Sequence, residues 1–186
     1  MSHRCSAAIL AGGQATRFGG RDKSALVVDG RSILERQLDV LSQVADDVQI
    51  VRDDLVPDCG PLGGLHTAVT QARHDLVLVL ACDMPHVTAP FASYLLSAAD
   101  SADVVVPRTE RGYHPLCAVY RRTCLPAIAR RIADRQLKMT ALFSDVRVRE
   151  VSGEDVDRFG DRDWLLANLN TPAALAGLEA LHGHKL

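Results

Sequence analysis

Two features that define other classes of protein are missing from this sequence of 186 residues. No apolar run is long enough to cross a bilayer, and the short run at residues 5–11 stops at Gly12-Gly13, which argues against a secretion signal. No pair among the five cysteines has C-x-x-C spacing, so we expect neither a disulfide framework nor a structural zinc site. We expect reduced thiols instead, used as small apolar residues in the cytoplasm.

An excess of basic residues is missing as well, because 21 Lys and Arg stand against 23 Asp and Glu, a net charge of −2 with neutral histidines. This balance excludes a broad basic surface, so we expect neither nucleic acid nor membrane as a partner. Hydrophobic residues make up 47% of the sequence, which is enough for a packed core. The length is typical of one domain, and we expect a single domain over residues 1–186.

Strand-like and helix-like segments alternate along the chain, which predicts an α/β fold. Ser32 and Glu35 form a capping-box pattern ahead of an amphipathic helix, and Leu76–Ala81 is a continuous apolar run typical of a central, fully covered strand. Residues 147–162 are charged and lack a clear period, so we expect a surface loop with at most one strand there. The other predicted strands lie at residues 5–10, 48–51, 104–106 (stopped by Pro107) and 116–120, and the other predicted helices at residues 62–73, 88–99 and after Thr171-Pro172.

The strongest motif is LAGGQATRFGGRDK at residues 10–23, directly after the first predicted strand. Its glycines let main-chain N–H groups approach an anion closely, and Arg17 and Lys23 add two cations. This combination suits a nucleoside triphosphate, although the loop matches neither the G-x-G-x-x-G nor the G-x-x-x-x-G-K-[ST] pattern. The alternative is a glycine-rich turn that only joins two elements, which the offsets of the two cations disfavour.

A second motif places Asp83 within ACDMP, at the C-terminal end of the most apolar strand. Open α/β sheets bind ligands outside the carboxyl ends of their strands, and a carboxylate there can hold Mg2+ against phosphate oxygens. The alternative is that Asp83 caps the turn before Pro85. The triphosphate-type loop after the first strand of the same sheet favours the metal role.

Two further motifs are weaker. GPLGG at residues 60–64 precedes a predicted helix, and its small residues would let a base or ribose lie against the backbone. Upstream of it, Asp53, Asp54 and Asp58 form an acidic loop that is either solvated or involved in recognising the base or ribose.

In NLNTP, Asn168 and Asn170 face the same way if the backbone is extended. Their amides either bind phosphate, a pterin or the water shell of a metal, or cap the last helix. His114 either contacts a second substrate or marks the start of the following strand, and we expect Trp164 to serve in packing.

In this order, LAGGQATRFGGRDK, GPLGGL, ACDMP, HPLCAVY and NLNTP resemble the molybdenum cofactor guanylyltransferase (MobA-type) family of the nucleotidyltransferase superfamily. The resemblance runs from about residue 7 to about residue 175. It implies a doubly wound, mostly parallel sheet flanked by helices, of Rossmann-like type. It also implies transfer of GMP from GTP to molybdenum cofactor (Mo-molybdopterin), which releases pyrophosphate and forms Mo-molybdopterin guanine dinucleotide. A related cytidylyltransferase branch usually reads LAAG, so the LAGG sequence favours guanine.

The resemblance also implies roles for individual residues. Arg17, Lys23 and Asp83 would be the catalytic residues, with Asp83 as the ligand of Mg2+. Asn168 and Asn170 would lie near the pterin or metal side. The nucleotide would be bound by Leu10, Ala11, Gly12, Gly13, Lys23, Asp83 and an aspartate upstream of GPLGG, which is Asp53 by spacing, with Asp54 close behind. Residues 46–59 depart from the family, whose members usually carry two strands and an asparagine-bearing loop there.

GTP and molybdenum cofactor are the substrates that the resemblance implies, and transient docking to molybdenum-cofactor proteins is expected. The attacking group would be a phosphate monoester, already anionic near neutral pH, so no strong general base is needed. Two alternatives remain open. One is a different small-molecule nucleotidyltransferase that uses CTP or a sugar phosphate, and the other is a nucleotide- or cofactor-binding module without turnover, which the shortened 46–59 region would favour.

Overall fold

The structure is a computed structural model, and it describes residues 4–12, 27–28 and 30–169. The predictions made for Gly13, Arg17, Lys23, Asn170 and the helix after Thr171 lie outside the described residues. The described elements, in chain order, are β1 (Ser6–Leu10), β2 (Val27–Val28), β3 (Arg31–Ser32), α1 (Ile33–Ser42), β4 (Asp47–Val51), α2 (Gly60–Gln71), β5 (Leu76–Ala81), α3 (Ala89–Ser97), β6 (Val104–Thr109), β7 (Gly112–Tyr113), β8 (Cys117–Arg121), α4 (Leu125–Ala133), β9 (Val148–Ser152), α5 (Gly153–Asp157) and α6 (Arg162–Leu165).

The main sheet has the strand order β4-β1-β5-β8-β6-β7, with β9 also paired to β6. β1 lies between β4 and β5 and is parallel to both, so the carboxyl ends of these three strands meet at one edge. β8 is antiparallel to β5 and to β6, whereas β9 is parallel to β6. The predicted α/β sheet flanked by helices is confirmed, and the reversed β8 makes it mixed beyond β5.

The central strand β5 explains how the two layers of core are built. All six of its residues are buried, as the continuous apolar run predicts. Alternate side chains point to opposite faces, so Leu76, Leu78 and Leu80 enter one apolar cluster and Val77 and Val79 enter the other. The first cluster also holds residues of α1 and α3, and the second holds residues of α2 and α4. Helices therefore cover both faces of the sheet.

The start of α1 follows the predicted capping box. The Ser32 hydroxyl accepts the N–H of Glu35, and the Glu35 carboxylate accepts the N–H of Ser32 at 2.9 Å. Both N–H groups at the helix start are thereby satisfied. The helix buries Ile33, Gln37 and Leu41 on one stripe. A glutamine in the middle of this stripe is unexpected from the apolar period alone.

The strand predicted to stop at Pro107 continues to Thr109, so that boundary was wrong. Pairing of β6 with β8 extends only over Val104 and Val105, so Pro107 lies where this ladder has already ended. There the missing N–H of proline costs no bond of the β6–β8 ladder. The Pro107 carbonyl still accepts the N–H of His114 at 2.9 Å.

The charged segment 147–162 contains one strand, β9, as the prediction allowed. The helix α5 and the start of α6 at Arg162 were not predicted. The Ser152 hydroxyl caps α5 and the Asp161 carboxylate caps α6, and both helices are too short to show a helical period. The sequence reading also missed α4, although Ile128 and Ile132 form a buried pair at helical spacing.

All five cysteines are free and buried, which confirms their expected use as small apolar side chains. Among the described residues, no helix combines the length and the apolar character that a membrane span requires.

Tyr120 provides a test of how the sheet is tied to the loop that precedes β8. Its side chain is fully buried, and its hydroxyl donates to the Pro115 carbonyl at 2.7 Å. Tyr120→Phe removes that bond and leaves a carbonyl without its partner, so we expect a loss of about 1–1.5 kcal/mol in the free energy of unfolding, measured in urea. Tyr113→Phe removes a hydroxyl that donates to Glu150 near the surface, and a smaller loss is expected there. Equal losses in the two variants would contradict this interpretation.

Candidate active site

Three strand ends bring the sequence motifs together at one edge of the sheet. The N–H of Ala11 donates to the Val51 carbonyl at 2.8 Å, which joins the segment after β1 to the end of β4. The N–H of Cys82 donates to the Leu10 carbonyl at 3.2 Å, which joins the segment after β5 to the end of β1. The start of the glycine-rich motif therefore lies between the acidic loop and the Asp83 turn.

Gly12 is required by the close approach of two backbones. A Cβ atom built at this position would lie 2.2 Å from the Arg52 carbonyl oxygen. Any side chain would push the segment after β1 away from the segment after β4. The motif alone predicts that this glycine lets the backbone approach a ligand, and the structure adds a close approach to the protein's own backbone.

Asp83 is half-buried in the turn that follows β5. The N–H of Met84 donates to the Ala81 carbonyl at 3.3 Å and closes the turn. The Asp83 carbonyl accepts the N–H of Leu169 at 2.7 Å, so the described part of NLNTP, including the exposed Asn168, lies beside this turn. The N–H of Ala81 also donates to the Leu116 carbonyl at 2.8 Å, which brings the HPLCAVY segment to the same edge.

In the acidic loop, the inward-facing carboxylate belongs to Asp54. A Cβ atom on Gly63 would lie 2.8 Å from Oδ2 of Asp54, and one on Gly64 would lie 3.6 Å from Oδ1, so the carboxylate lies against the first turns of α2. Asp53, which the family spacing indicates, is exposed next to it. Burial, and secondarily the negative charge of Asp53, raises the pKa of Asp54. No signal in the sequence separates two adjacent aspartates in this way.

The loop is held in that orientation by α2. The N–H of Leu55 donates to the Thr67 hydroxyl at 2.8 Å, and Thr67 is buried in α2. The Leu10 side chain reaches the same helix, since a Cβ atom on Gly64 would lie 3.3 Å from one of its methyl groups. The small residues of GPLGG thus leave room for Asp54 and Leu10 to lie against the start of α2.

His114 and Trp164 lie near the sheet edge that holds the Asp83 turn. His114 forms a hydrogen bond with the Thr109 hydroxyl at 3.0 Å, and burial lowers the pKa of its imidazole, which favours the neutral ring. Trp164 stacks on His86 with ring centroids 3.8 Å apart, so it packs against the residues that follow the Asp83 turn.

Asp83 offers a carboxylate, a hard oxygen donor, at this edge. Within the described ranges, no group of three or more His, Cys, Asp or Glu side chains could hold a metal ion by itself. Mg2+ is usually bound by one or two carboxylates together with waters and substrate phosphates. A half-buried Asp83 beside the strand ends fits that mode, in which the substrate supplies the remaining ligands.

Comparison with known proteins identifies the family of the chain. The family model for the MobA-like NTP transferase domain matches residues 7–148. The molybdenum cofactor guanylyltransferase of Desulfosudis oleivorans is 34% identical over 188 residues, which cover 92% of this chain and 93% of that protein. The probable molybdenum cofactor guanylyltransferase of Pelotomaculum thermopropionicum is 34% identical over 90% of this chain and 88% of that protein.

The fold has a counterpart among solved structures. Molybdopterin-guanine dinucleotide biosynthesis protein A from Archaeoglobus fulgidus superimposes with a TM-score of 0.80 at 22% identity, covering 96% of this chain and 99% of that chain. At this identity the match supports the fold alone. The family match over residues 7–148 and the 34% identity over most of the length show that the chain belongs to the MobA-like NTP transferases and is a nucleotidyltransferase.

Proposed function

We propose that this protein transfers GMP from GTP to molybdenum cofactor, releasing pyrophosphate and forming Mo-molybdopterin guanine dinucleotide. One observation carries the proposal: the hydrogen bond from Cys82 to the Leu10 carbonyl joins the triphosphate-type motif to the Asp83 turn. It occurs in a chain that is 34% identical to a protein named molybdenum cofactor guanylyltransferase. GTP and molybdenum cofactor are the proposed substrates, Mg2+ is the proposed cofactor, and molybdenum-cofactor proteins are the proposed docking partners.

The chemistry needs charge neutralisation more than a base. The attacking phosphate is already anionic, so the barrier lies in bringing two polyanions together and in stabilising pyrophosphate as it leaves. Main-chain N–H groups of the motif, with Arg17 and Lys23, would bind the triphosphate oxygens. Asp83 would hold Mg2+, which would supply further charge neutralisation on the same oxygens. Positioning of both substrates by the strand ends would supply the remaining lowering of the barrier.

Recognition of the base is the proposed role of the acidic loop. Guanine carries two adjacent N–H donors on its pairing edge, and one ionised carboxylate can accept from both. Cytosine offers a donor beside an acceptor, so a carboxylate satisfies only half of its edge. Asp54 faces the start of α2, and Asp53 lies exposed beside it, so we assign the inward-facing contact to Asp54 and a rim contact to Asp53.

Pyrophosphate release tests the proposed function directly. We expect release with GTP and Mg2+ only when molybdenum cofactor is supplied, and little release with CTP. A preference for CTP would replace the assignment by a cytidylyltransferase. Binding of GTP without any dinucleotide product would indicate a binding module.

Asp83→Asn is expected to lower the rate by about 10²–10³, because it removes the carboxylate proposed to hold the Mg2+ that neutralises the triphosphate. Lys23→Ala is expected to cause a loss of similar size. The matched control is Asp75→Asn, since Asp75 precedes the same strand at its opposite end and is mostly exposed beside Arg122. Near-normal turnover in the Asp83 variant would refute its role.

Asp54→Asn is expected to weaken GTP binding while making the fold more stable at neutral pH. The pKa of Asp54 is raised in the folded state, so folding favours the protonated form, and this contribution to stability is lost as the pH rises through the folded-state pKa. At neutral pH the ionised carboxylate therefore costs stability that asparagine does not.

Thermal unfolding as a function of pH and calorimetric titration with GTP measure the two effects. The stability gain should shrink as the pH is lowered through the titration range of Asp54. Asp53→Asn, at an exposed neighbour, is the control and should show a smaller change in both measurements. Unchanged GTP affinity in Asp54→Asn would remove this residue from the proposed site.

A further inference from the structure

Gln37 links α1 to the turn that carries Asp83. Its side chain is 2% exposed, and its Nε2 donates to the Ala81 carbonyl at 2.7 Å and to the Met84 carbonyl at 3.0 Å. These two carbonyls lie on either side of Cys82-Asp83. One amide group therefore holds the backbone both before and after the candidate metal ligand.

The orientation of this amide follows from its surroundings. Turned the other way, its oxygen would face two carbonyl oxygens, so the nitrogen must point to the turn. Its Oε1 atom is buried and accepts no hydrogen bond within the described part of the chain. Burying an amide oxygen without a partner costs stability that an apolar side chain would avoid. The neighbours on the same stripe, Ile33 and Leu41, are apolar, so the two donors are what Gln37 adds at this position.

Main-chain hydrogen bonds also restrain the turn. Leu10 accepts the N–H of Cys82, Leu116 accepts the N–H of Ala81, and Leu169 donates to the Asp83 carbonyl. The Ala81 carbonyl also accepts the N–H that closes the turn, so Gln37 shares an acceptor with the turn's own hydrogen bond. At the Met84 carbonyl, Gln37 supplies a side-chain donor beyond these main-chain bonds.

We propose that Gln37 is a positioning residue, which fixes the backbone around Asp83 so that its carboxylate meets the metal-bound triphosphate in one direction. This inference rests on the proposed function, because it requires Asp83 to bind the metal. Groups that orient a metal ligand typically change metal affinity or activity by about 10–100-fold when they are mutated.

Gln37→Met tests the proposal, because methionine has a similar shape and donates no hydrogen bond. The readout is the binding of Mn2+ in the presence of GTP. It is measured from the electron paramagnetic resonance signal of the Mn2+ that remains free in solution. We expect the affinity for Mn2+ to fall by roughly 10–100-fold. In the assay, the Mg2+ concentration for half-maximal rate should rise in parallel, while the KM for molybdenum cofactor should stay unchanged.

Gln49→Met is the matched control. Gln49 donates its Nε2 to the Ala68 carbonyl at 2.7 Å, so it also joins a side-chain amide to a backbone carbonyl, but between β4 and α2. A structural loss alone would affect both variants through their thermal unfolding and would leave the affinity for Mn2+ unchanged. If Gln37→Met does not fold, Gln37→Asn withdraws the amide by one methylene group and should give a smaller loss in the same direction.

The outcomes separate this inference from the proposed function. If Asp83→Asn binds Mn2+ and GTP as the wild type does, the metal role of Asp83 fails, and the inference fails with it. If Asp83→Asn loses Mn2+ while folded Gln37→Met or Gln37→Asn retains wild-type affinity, only the inference is overturned. A loss of Mn2+ affinity in the Gln37 variants that Gln49→Met does not share supports it.

Discussion

The candidate site depends on the hydrogen bonds that hold the segments after β4, β1 and β5 side by side. Ala11 donates to Val51, and Cys82 donates to Leu10, so each segment is tied to the next by a main-chain bond. Parallel pairing of the three strands continues into the turns, where open α/β sheets usually bind their ligands. Without this continuation, the proposed triphosphate-binding motif and the proposed metal-binding carboxylate would be separate features.

Close packing around this edge explains why small residues occur in two of the motifs. Gly12 lies against the backbone of Arg52, and Gly63 and Gly64 lie against Asp54 and Leu10. The glycines thus let protein segments approach one another before any ligand is considered. Gln37 acts on the same edge from α1, at the cost of a buried amide oxygen without a partner among the described residues. Such a local cost in stability is expected at a turn whose geometry matters for function, as we propose for the Asp83 turn.

Much of the fold could be predicted because it follows from local pattern. The fully apolar β5, the capping box of Ser32 and the short apolar run of β1 each carry their own signal, and the structure confirms them. The predicted end of β6 at Pro107 was wrong, because a proline is tolerated in a strand where the neighbouring strand no longer pairs with it. Where β8 stops pairing with β6 is a property of the whole sheet. The inward orientation of Asp54, and the contact of Gln37 with a turn 44 residues away, also arise only when distant segments pack together.

The claim that the Gly12 and Asp83 segments form one metal-triphosphate site is tested most directly by a crystal structure with Mg2+ and a GTP analogue that cannot be cleaved. The account predicts phosphates beside the segment after β1, a metal ion on the Asp83 carboxylate, and the guanine edge toward Asp54. A nucleotide bound away from this edge of the sheet, with Asp83 contacting neither metal nor phosphate, would contradict it.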